Sequence, residues 1–230
     1  MIKVLYEDKF IFVGEKPVGV LSEYVAGNRN MPEMLKKQTR AYKIDTIHRL
    51  DRNVGGVMVY SKNAKATVRL SKMMASHSFV KEYLAVVYGT FEEKQGSFED
   101  FLIKDKRNCK VYVTNKNNPD AKYAKLEYEV LAENKRFSLV KVRLHTGRTH
   151  QIRVQFASRG FALVGDTKYG KQDTNEKGKT AISLWSYHLK FKHPLFEKDI
   201  DAYSFPKKEG GFSFFYEKIK QLNVENHIII

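Results

Sequence analysis

The sequence predicts an α+β fold with a large mixed, mostly antiparallel sheet flanked by a few helices. Six apolar runs have the length and composition of strands, and they outnumber the helical segments. Strands and helices do not alternate regularly, as they would in a parallel α/β fold. The predicted strands cover residues 9–16, 55–62, 82–89, 124–133, 136–144 and 182–191.

The run RFSLVKVRL (136–144) illustrates the strand pattern. Phe137, Leu139 and Val142 are mixed with Lys141 and Arg143 along this run. A strand with one buried face and one solvated face produces such mixing, which is common in antiparallel sheets.

Four segments have helical character. Residues 31–39 are predicted to form a short helix, and SFFYEKIKQL (213–222) another. Asn63 is expected to cap a helix with one apolar face, and Thr149 to precede a helix that Gly160 stops. The face of the helix after Asn63 is expected to carry Ala66, Leu70, Met73 or Met74, and His77. NPDAK (118–122) and QDTNEKGK (172–179) are predicted surface loops, the second being a candidate for movement when a partner binds.

Charge is the most informative bulk property of the chain. Its 41 Lys and Arg residues exceed its 26 Asp and Glu residues, which gives a formal net charge of +15. A polyanionic partner is therefore expected, because each phosphate contact releases counterions. A membrane surface is the competing polyanion, but it would favour a basic amphipathic helix or a polybasic end with a lipidation signal, and we identify neither. Nucleic acid is the favoured partner.

Length and composition favour one domain over residues 1–230. The 230 residues are 42% hydrophobic, which is enough for a core and argues against a disordered protein. No run approaches the roughly 18–20 apolar residues of a membrane span, and the opening MIKVLYEDKF lacks the layout of a secretory signal. Cys109 is the only cysteine, so no intramolecular disulfide and no cysteine-based zinc cluster is expected. The reducing cytoplasm is the predicted location.

Two charged residues pose complementary questions. Arg148 lies in HTGRTHQIRV (145–154), at the expected start of a helix, where the helix dipole disfavours a cation by roughly 0.3–1 kcal/mol. A phosphate or a carboxylate opposite Arg148 would offset that cost, and the alternative is that the side chain points to solvent. Asp51 lies among His48, Arg49 and Arg52, where a carboxylate is kept ionised. Such a group suits nucleophilic attack, and the alternative is a structural ion pair in a turn.

Glycines follow Asp51 at positions 55 and 56. A glycine pair permits the close approach of a backbone or of a flat ligand, because no Cβ stands in the way. Both possibilities are left open by the residues alone.

Five ordered stretches together resemble the RluA family of RNA pseudouridine synthases. HRLDRNVGGVMVYSKN (48–63) resembles the family's HRLD motif, and KEYLAVVYG (81–89) its K-x-Y-x-A-x-V-x-G strand. HTGRTHQIRVQFASRGFALVGDTKYG (145–170) is similar to the stretch that begins TGR-x-HQIR, and LWSYHLKFKHP (184–194) to the segment that ends in HP. YEDKFIFVGEKPVGVLSE (6–23) resembles the family's opening, with its NKP-x-G pattern.

The resemblance implies that the chain converts uridine to pseudouridine in structured RNA, with no cofactor and no metal. It implies the pseudouridine synthase fold, in which a central cleft holds the target base. Asp51 matches the catalytic aspartate, which attacks either ribose C1′ or base C6. Tyr83 matches the tyrosine that stacks on the base and assists proton removal from C5, and Arg148 matches the arginine that pairs with the aspartate.

The partner of this enzyme is expected to be ribosomal RNA rather than transfer RNA, at a uridine in a loop or bulge, and the protein is expected to be a monomer. No separate N-terminal S4-type RNA-binding domain is expected, so affinity would depend on the basic surface of the catalytic domain. The candidate RNA-binding residues are Arg49, Arg52, Arg153 and Lys168.

The sequence departs from the family pattern at four places. Trp185 and Ser186 replace a histidine and an alanine, Glu15 replaces an asparagine, and Gln155 replaces a frequent histidine. None of these positions is Asp51, Tyr83 or Arg148, so the departures are expected to affect pocket shape and substrate choice rather than activity.

Other reactive residue types are expected to be structural. Asp166 is expected to bond backbone amides, and Cys109 to be a bystander. The histidines at 48, 145, 150, 188 and 193 lack metal-site spacing and are expected to form structural hydrogen bonds, with His150 helping to order the Arg148 turn. A non-catalytic RNA-binding module of the same fold is the alternative function, and a metal-dependent nuclease is disfavoured because no carboxylate cluster is evident.

Overall fold

The computed structural model describes residues 1–170 and 181–227. Its helices are α1 (Met31–Thr39), α2 (Ala64–Ala75), α3 (Gln151–Ala157) and α4 (Tyr216–His227), and a 3-10 helix (Gly210–Phe215) precedes α4. Its strands are β1 (Val4–Glu7), β2 (Ile11–Lys16), β3 (Asp45–Thr46), β4 (Gly55–Ser61), β5 (Val80–Tyr88), β6 (Gln95–Asp105), β7 (Lys110–Thr114), β8 (Lys122–Glu133), β9 (Phe137–Leu144), β10 (Leu184–Lys192) and β11 (Asp199–Tyr203). The α+β prediction is confirmed.

Two compact units make up the chain. Unit 1 comprises Met1–Lys81 with Trp185–Pro206, and unit 2 comprises Glu82–Leu184 with Lys207–Ile230. The loop predicted at 172–179 lies outside the described residues. None of the described helices has the length and hydropathy that a bilayer crossing requires.

Unit 1 is built on a mixed sheet. Its strands follow the order β1-β2-β4-β10, with β3 paired to β4 and β11 paired to β10. The β4–β10 pair is parallel, and the other strand pairs of this unit are antiparallel. Helix α2 packs Ala66 and Leu70 against the apolar face of this sheet, where Val57, Val59 and Leu189 are almost fully buried.

Helix α2 forms as the sequence predicts. The Asn63 side chain accepts a hydrogen bond from the backbone N–H of Ala66, which satisfies one of the free donors at the helix start. Ala66 and Leu70 are buried as expected, and Met73 and Met74 are partly buried against the same core. The prediction for His77 is wrong. The helix ends at Ala75, and His77 adopts a left-handed backbone (φ 55°) and is exposed.

Unit 2 is built on an antiparallel sheet. Its strands follow the order β5-β9-β8-β6-β7. Helix α3 covers the far end of this sheet, with Val154 packed against Leu102, Val111 and Ala124. All six strands predicted from the sequence are present in the two units. Strand β9 is more buried than predicted, since Phe137 to Val140 are all buried and the alternation begins only at Lys141.

The start of α3 differs from the prediction. Thr149 is exposed and does not cap the helix, which begins at Gln151 after a left-handed His150 (φ 53°). The Gln151 side chain organises the turn instead, because its Oε1 accepts hydrogen bonds from the Arg148 N–H and from the Thr146 hydroxyl. Gly160 ends the segment as predicted, with φ 87° and its N–H bonded to the Ala157 carbonyl.

Candidate active site

Asp51 lies in a tight turn of unit 1 between β3 and β4. The Val54 N–H donates to the Asp51 carbonyl at 3.0 Å, which closes the turn. The turn is also tied to the segment after β2. The Gly19 N–H donates to the Arg52 carbonyl at 2.8 Å, and the Arg52 Nε donates back to the Gly19 carbonyl at 3.1 Å. The backbone that follows Asp51 is therefore fixed by bonds from a second segment.

Lys16 is the residue of this region that the sequence reasoning missed. Its side chain is fully buried, and its ammonium donates to the carbonyls of Pro17 at 2.9 Å, Val20 at 2.8 Å and Arg52 at 3.3 Å. Burial lowers the pKa of Lys16 to about 8, and the charge of Asp51 acts in the opposite direction. Lys16 thus joins the loop after β2 to the residue that follows Asp51, and it places a buried positive charge close to that carboxylate.

The lowered pKa of Lys16 makes stability depend on pH in a defined direction. Unfolding returns the lysine to a pKa near 10.5, so the unfolded chain binds more protons than the folded chain between about pH 8 and 10.5, and stability rises with pH across that window. We expect the free energy of unfolding of the wild type to rise by about 2 kcal/mol relative to Lys16→Met between pH 7.5 and 10. Urea unfolding at several pH values measures this, and a pH-independent difference between the two proteins would contradict it.

His48 has a structural role, as predicted. Its Nε2 accepts a hydrogen bond from the Val59 N–H at 3.3 Å, which requires the neutral ring. Burial, with the nearby Lys81 adding to it, lowers the pKa of His48 to about 3. The imidazole is therefore uncharged at neutral pH, so His48 is not one of the cations that surround Asp51.

The other four histidines also have structural partners. His145 and His193 lie 3.0 Å from Glu127 and Asp8, His188 lies 2.8 Å from Asp201, and the His150 Nδ1 lies 2.7 Å from the Tyr169 hydroxyl. Among residues 1–170 and 181–227, no group of three or more His, Cys, Asp or Glu side chains is arranged to hold a metal ion.

The two glycines after Asp51 allow close packing of protein, not of a ligand. A Cβ on Gly56, which has φ 119°, would lie 2.1 Å from the Ser186 carbonyl oxygen. A Cβ on Gly55 would lie 2.3 Å from the Trp185 ring. Strand β10 thus runs against β4 at this point, and the Trp185 indole covers Gly55. The sequence left open whether a backbone or a flat ligand approaches these glycines. In the structure the neighbour is the protein's own strand β10.

Two of the departures from the family pattern belong to one hydrogen-bond network. The Trp185 Nε1–H donates to the Ser204 carbonyl at 3.1 Å, and the Ser204 hydroxyl donates to the Glu15 carboxylate at 2.7 Å. Trp185 is 8% exposed and so is a core residue. The Ser186 hydroxyl donates to the Val57 carbonyl. These substitutions therefore change the packing behind the Asp51 turn, and the predicted effect on substrate choice stays a prediction.

Replacing Gly56 separates backbone strain from steric overlap. In Gly56→Ala the φ of 119° costs about 1–2 kcal/mol, and overpacking against β10 adds about 1–3 kcal/mol. We expect the free energy of unfolding to fall by about 2–5 kcal/mol. Gly27→Ala is the control, because Gly27 also has a positive φ (72°) but open space around it, and it should lose only about 1–2 kcal/mol. Equal losses in urea unfolding would show that the close approach of β10 is unimportant.

Tyr83 and Arg148 lie in unit 2, whereas Asp51 lies in unit 1. Tyr83 is in the middle of β5, opposite Val142 of β9, and is 6% exposed. Arg148 is exposed, and its Nε donates to the Tyr123 carbonyl at 2.9 Å. The pairing of Asp51 with Arg148, and the meeting of both with Tyr83, stay predictions.

The predicted RNA-binding residues differ in their surroundings. Arg153 forms a two-pronged ion pair with Asp166, with its Nε and Nη2 each 2.8 Å from a carboxylate oxygen. Both side chains are mostly buried. Arg49 is exposed and lies 3.0 Å from Glu23, and Arg52 bonds Gly19. Their role in RNA binding stays a prediction, and the buried ion pair of Arg153 competes with any phosphate contact.

Asp166 bonds backbone amides, as predicted. Its Oδ1 accepts from the N–H groups of Lys168 and Tyr169 at 3.0 and 3.3 Å. Burial alone would raise the pKa of Asp166, but the Arg153 guanidinium and the two amides outweigh it and hold the pKa below its usual value. Asp166 therefore orders the segment after α3, and the Lys168 ammonium on that segment donates to the Cys109 carbonyl at 2.9 Å.

The sequence profile of the RNA pseudouridylate synthase family matches residues 11–158, a span that contains Lys16, Asp51, Tyr83 and Arg148. The chain belongs to this family. Membership confirms the resemblance that the sequence motifs indicate. It also confirms the predicted enzyme class, since an RNA pseudouridine synthase is an isomerase that acts on RNA.

Relatives that are named as ribosomal large subunit pseudouridine synthases support the same assignment. The chain is 31% identical over 236 residues to the ribosomal large subunit pseudouridine synthase D of Borreliella burgdorferi, covering 97% of this chain and 71% of that one. It is 29% identical over 201 residues to the ribosomal large subunit pseudouridine synthase C of Buchnera aphidicola, covering 83% and 63%. Among solved structures, human RNA Pseudouridylate Synthase Domain Containing 4 has the same fold, with a TM-score of 0.76 at 20% identity over 96% of this chain and 93% of that one.

Proposed function

We propose that this pseudouridine synthase modifies uridine in large-subunit ribosomal RNA, with Asp51 as the catalytic carboxylate. The observation that carries the proposal is the setting of Asp51. It lies in the HRLD turn that the family profile spans, and the buried Lys16 ammonium holds that turn through the Arg52 carbonyl. A relative named for the large ribosomal subunit, 31% identical over 97% of this chain, supports the choice of RNA.

The reaction keeps all heavy atoms of the nucleotide. Asp51 attacks ribose C1′ or base C6, the bond from N1 to C1′ breaks, and uracil turns while it is held by the protein. A bond then forms from C5 to C1′, and the bond to Asp51 breaks and restores the carboxylate. The C5 proton passes to water, and N1 gains a proton. Since no group leaves, the enzyme must retain a detached uracil, and ring contacts such as the proposed stacking on Tyr83 serve that purpose.

Arg148 is proposed to pair with Asp51 and to keep it ionised and oriented. A guanidinium suits this purpose because it remains charged and presents two parallel donors to a carboxylate. The target base must first leave its stack, at a cost of a few kcal/mol. A uridine in a loop or bulge is the proposed target because that cost is lower there. We further propose that the protein acts as a monomer in the cytoplasm.

Tritium release tests the proposed function. The purified chain is incubated with transcribed large-subunit ribosomal RNA that carries tritium at uracil C5, and the labelled water is counted. Loss of the C5 proton is required for the new bond, so the proposal predicts one tritium released for each uridine modified. A transfer RNA transcript, labelled in the same way, is the comparison substrate. Release from transfer RNA alone would exclude the ribosomal target, and no release from either RNA would contradict the function.

A further inference from the structure

The hairpin of strands β6 and β7, with the loop that leads to β8, carries a concentration of positive charge. Residues 104–122 contain six cations and two carboxylates. Among the described residues none of the six cations has a carboxylate within ion-pair distance, and all but Lys110 are exposed. The six are Lys104, Lys106, Arg107, Lys110, Lys116 and Lys122. We refer to residues 101–123 as the basic hairpin.

The carboxylate between Lys104 and Lys106 in the sequence is engaged by its own turn. Asp105 accepts hydrogen bonds from the N–H groups of Arg107 and Asn108 and from the Asn108 side chain, at 2.8, 3.2 and 2.7 Å. The Asn108 side chain, followed by these amides, lowers the pKa of Asp105. Asp105 thus shapes the tip of the hairpin and leaves the charges of Lys106 and Arg107 directed to solvent.

Aromatic side chains occupy the outer face of the basic hairpin. The strand register places Tyr112 opposite Ile103, and Tyr123 opposite Phe101, on one face of the sheet. Tyr112 is 46% exposed and Tyr123 is 39% exposed, and the Tyr123 and Phe101 rings meet edge to face at 5.8 Å. The opposite face is the buried one, where Leu102 and other apolar residues pack against α3.

We propose that the basic hairpin is an anchoring surface for single-stranded RNA that flanks the target uridine. Unpaired cations beside exposed tyrosines are the combination that holds phosphates and stacks bases without reading sequence. The Nε of Arg148 bonds the Tyr123 carbonyl, so the surface begins next to an arginine proposed to act in the reaction. The inference rests on the proposed function, because it takes RNA to be the polyanion that these charges meet.

The charge favours RNA over a second copy of the chain as the occupant. Within the described residues β7 pairs only with β6, so it is an edge strand to which another strand would be able to add. Two basic hairpins would repel each other, and lysines on an edge disfavour strand addition. A polyanion is attracted by the same charges.

Neutralising the tip tests the contribution of charge. The variant Lys106→Gln, Arg107→Gln, Lys110→Gln, Lys116→Gln is compared with wild type for retention of a 20-nucleotide oligouridylate on filters, between 50 and 200 mM KCl. We expect Kd at 150 mM KCl to rise by about tenfold or more, and the slope of log Kd against log salt to fall by about 3. The control removes four exposed lysines from α1 and α2, as Lys36→Gln, Lys37→Gln, Lys65→Gln, Lys72→Gln. Equal effects in the two variants, or none in the first, would overturn the proposal.

Single substitutions test the contribution of stacking. Loss of one base–aromatic stack reduces affinity by about fivefold or more, so Tyr112→Ala is expected to raise Kd by at least that factor. Tyr112→Phe keeps the ring and should bind within twofold of wild type. Tyr42→Ala, at a tyrosine that is 98% exposed in unit 1, should also bind as wild type does. Unchanged binding by Tyr112→Ala would remove the aromatic part of the surface and contradict the proposal.

Two further measurements identify the occupant. If the four-residue hairpin variant binds oligouridylate as wild type does but loses binding to phosphatidylserine vesicles, the occupant is a membrane and the proposal fails. It also fails if the variant changes only the sedimentation of the protein, which would indicate a second copy. Tritium release by the wild type is measured in parallel, so that failure of the hairpin proposal is distinguished from failure of the proposed function. If wild type releases tritium but the hairpin variant binds RNA as well as wild type does, only the hairpin proposal is refuted. If the hairpin variant loses RNA binding but wild type releases no tritium, only the proposed function is refuted.

Discussion

Replacing Asp51 by asparagine is expected to abolish pseudouridine formation while the protein remains folded. The asparagine side chain has nearly the same shape, but its neutral amide is not a competent nucleophile and cannot pair with a guanidinium as a carboxylate does. Removal of a catalytic nucleophile reduces turnover by about 10⁴-fold or more, which places the variant below detection in the tritium-release assay.

The control for Asp51→Asn is another carboxylate of unit 1. Asp199 is exposed at the start of β11, and Asp199→Asn should release tritium at the wild-type rate. Circular dichroism and urea unfolding establish that both variants are folded. Undiminished release by folded Asp51→Asn would end the assignment of Asp51 and leave the Lys16–Arg52 hydrogen bond as a purely structural feature of the turn.

Replacing Arg148 by alanine is expected to reduce turnover strongly while RNA binding is kept. The guanidinium is proposed to act on Asp51 and not on a phosphate, so its loss should affect the rate of reaction rather than the affinity. Removing one preorganised charge partner at a reacting centre costs about 10²- to 10³-fold in turnover. We expect the Kd for RNA, measured by filter retention, to change by less than about threefold. Such a change is no larger than the loss of one phosphate contact would cause.

Two further variants sharpen this result. Arg148→Lys keeps the charge but loses the fork of donors, so it should recover only part of the activity. Arg29→Ala removes an exposed arginine of unit 1 and should behave as wild type. If Arg148→Ala weakens RNA binding and turnover by the same factor, Arg148 is a phosphate contact, and the pairing with Asp51 is refuted.

Local sequence patterns predicted most of the fold because long apolar runs dominate it. Strands β6 and β7 were not predicted, since QGSFEDFLIKD carries polar residues on both faces and KVYVT is only five residues long. The start of α3 was predicted at Thr149 because a threonine is a good cap, but Gln151 holds the turn through bonds to Arg148 and Thr146 that a capping rule does not contain.

The candidate site was predicted from motifs, and the residues that motifs do not distinguish were missed. Lys16 ends an apolar strand, where a lysine ordinarily reaches water, yet its ammonium is buried among three carbonyls. The available signal was the following Pro17, which has no N–H, and the turn at Gly19, which leave carbonyls in need of a donor. Arg153 was predicted as a phosphate contact because its partner Asp166 is 13 residues away, and charge counts do not show such a pair.

Pseudouridine mapping in cells tests the central claim most directly. Ribosomal and transfer RNA from cells with the gene, without it, and with the Asp51→Asn allele are treated with carbodiimide and read by primer extension. We expect at least one stop in large-subunit ribosomal RNA that is lost on deletion, restored by wild type and not restored by Asp51→Asn. Identical stops in both RNAs from all three strains would contradict this expectation.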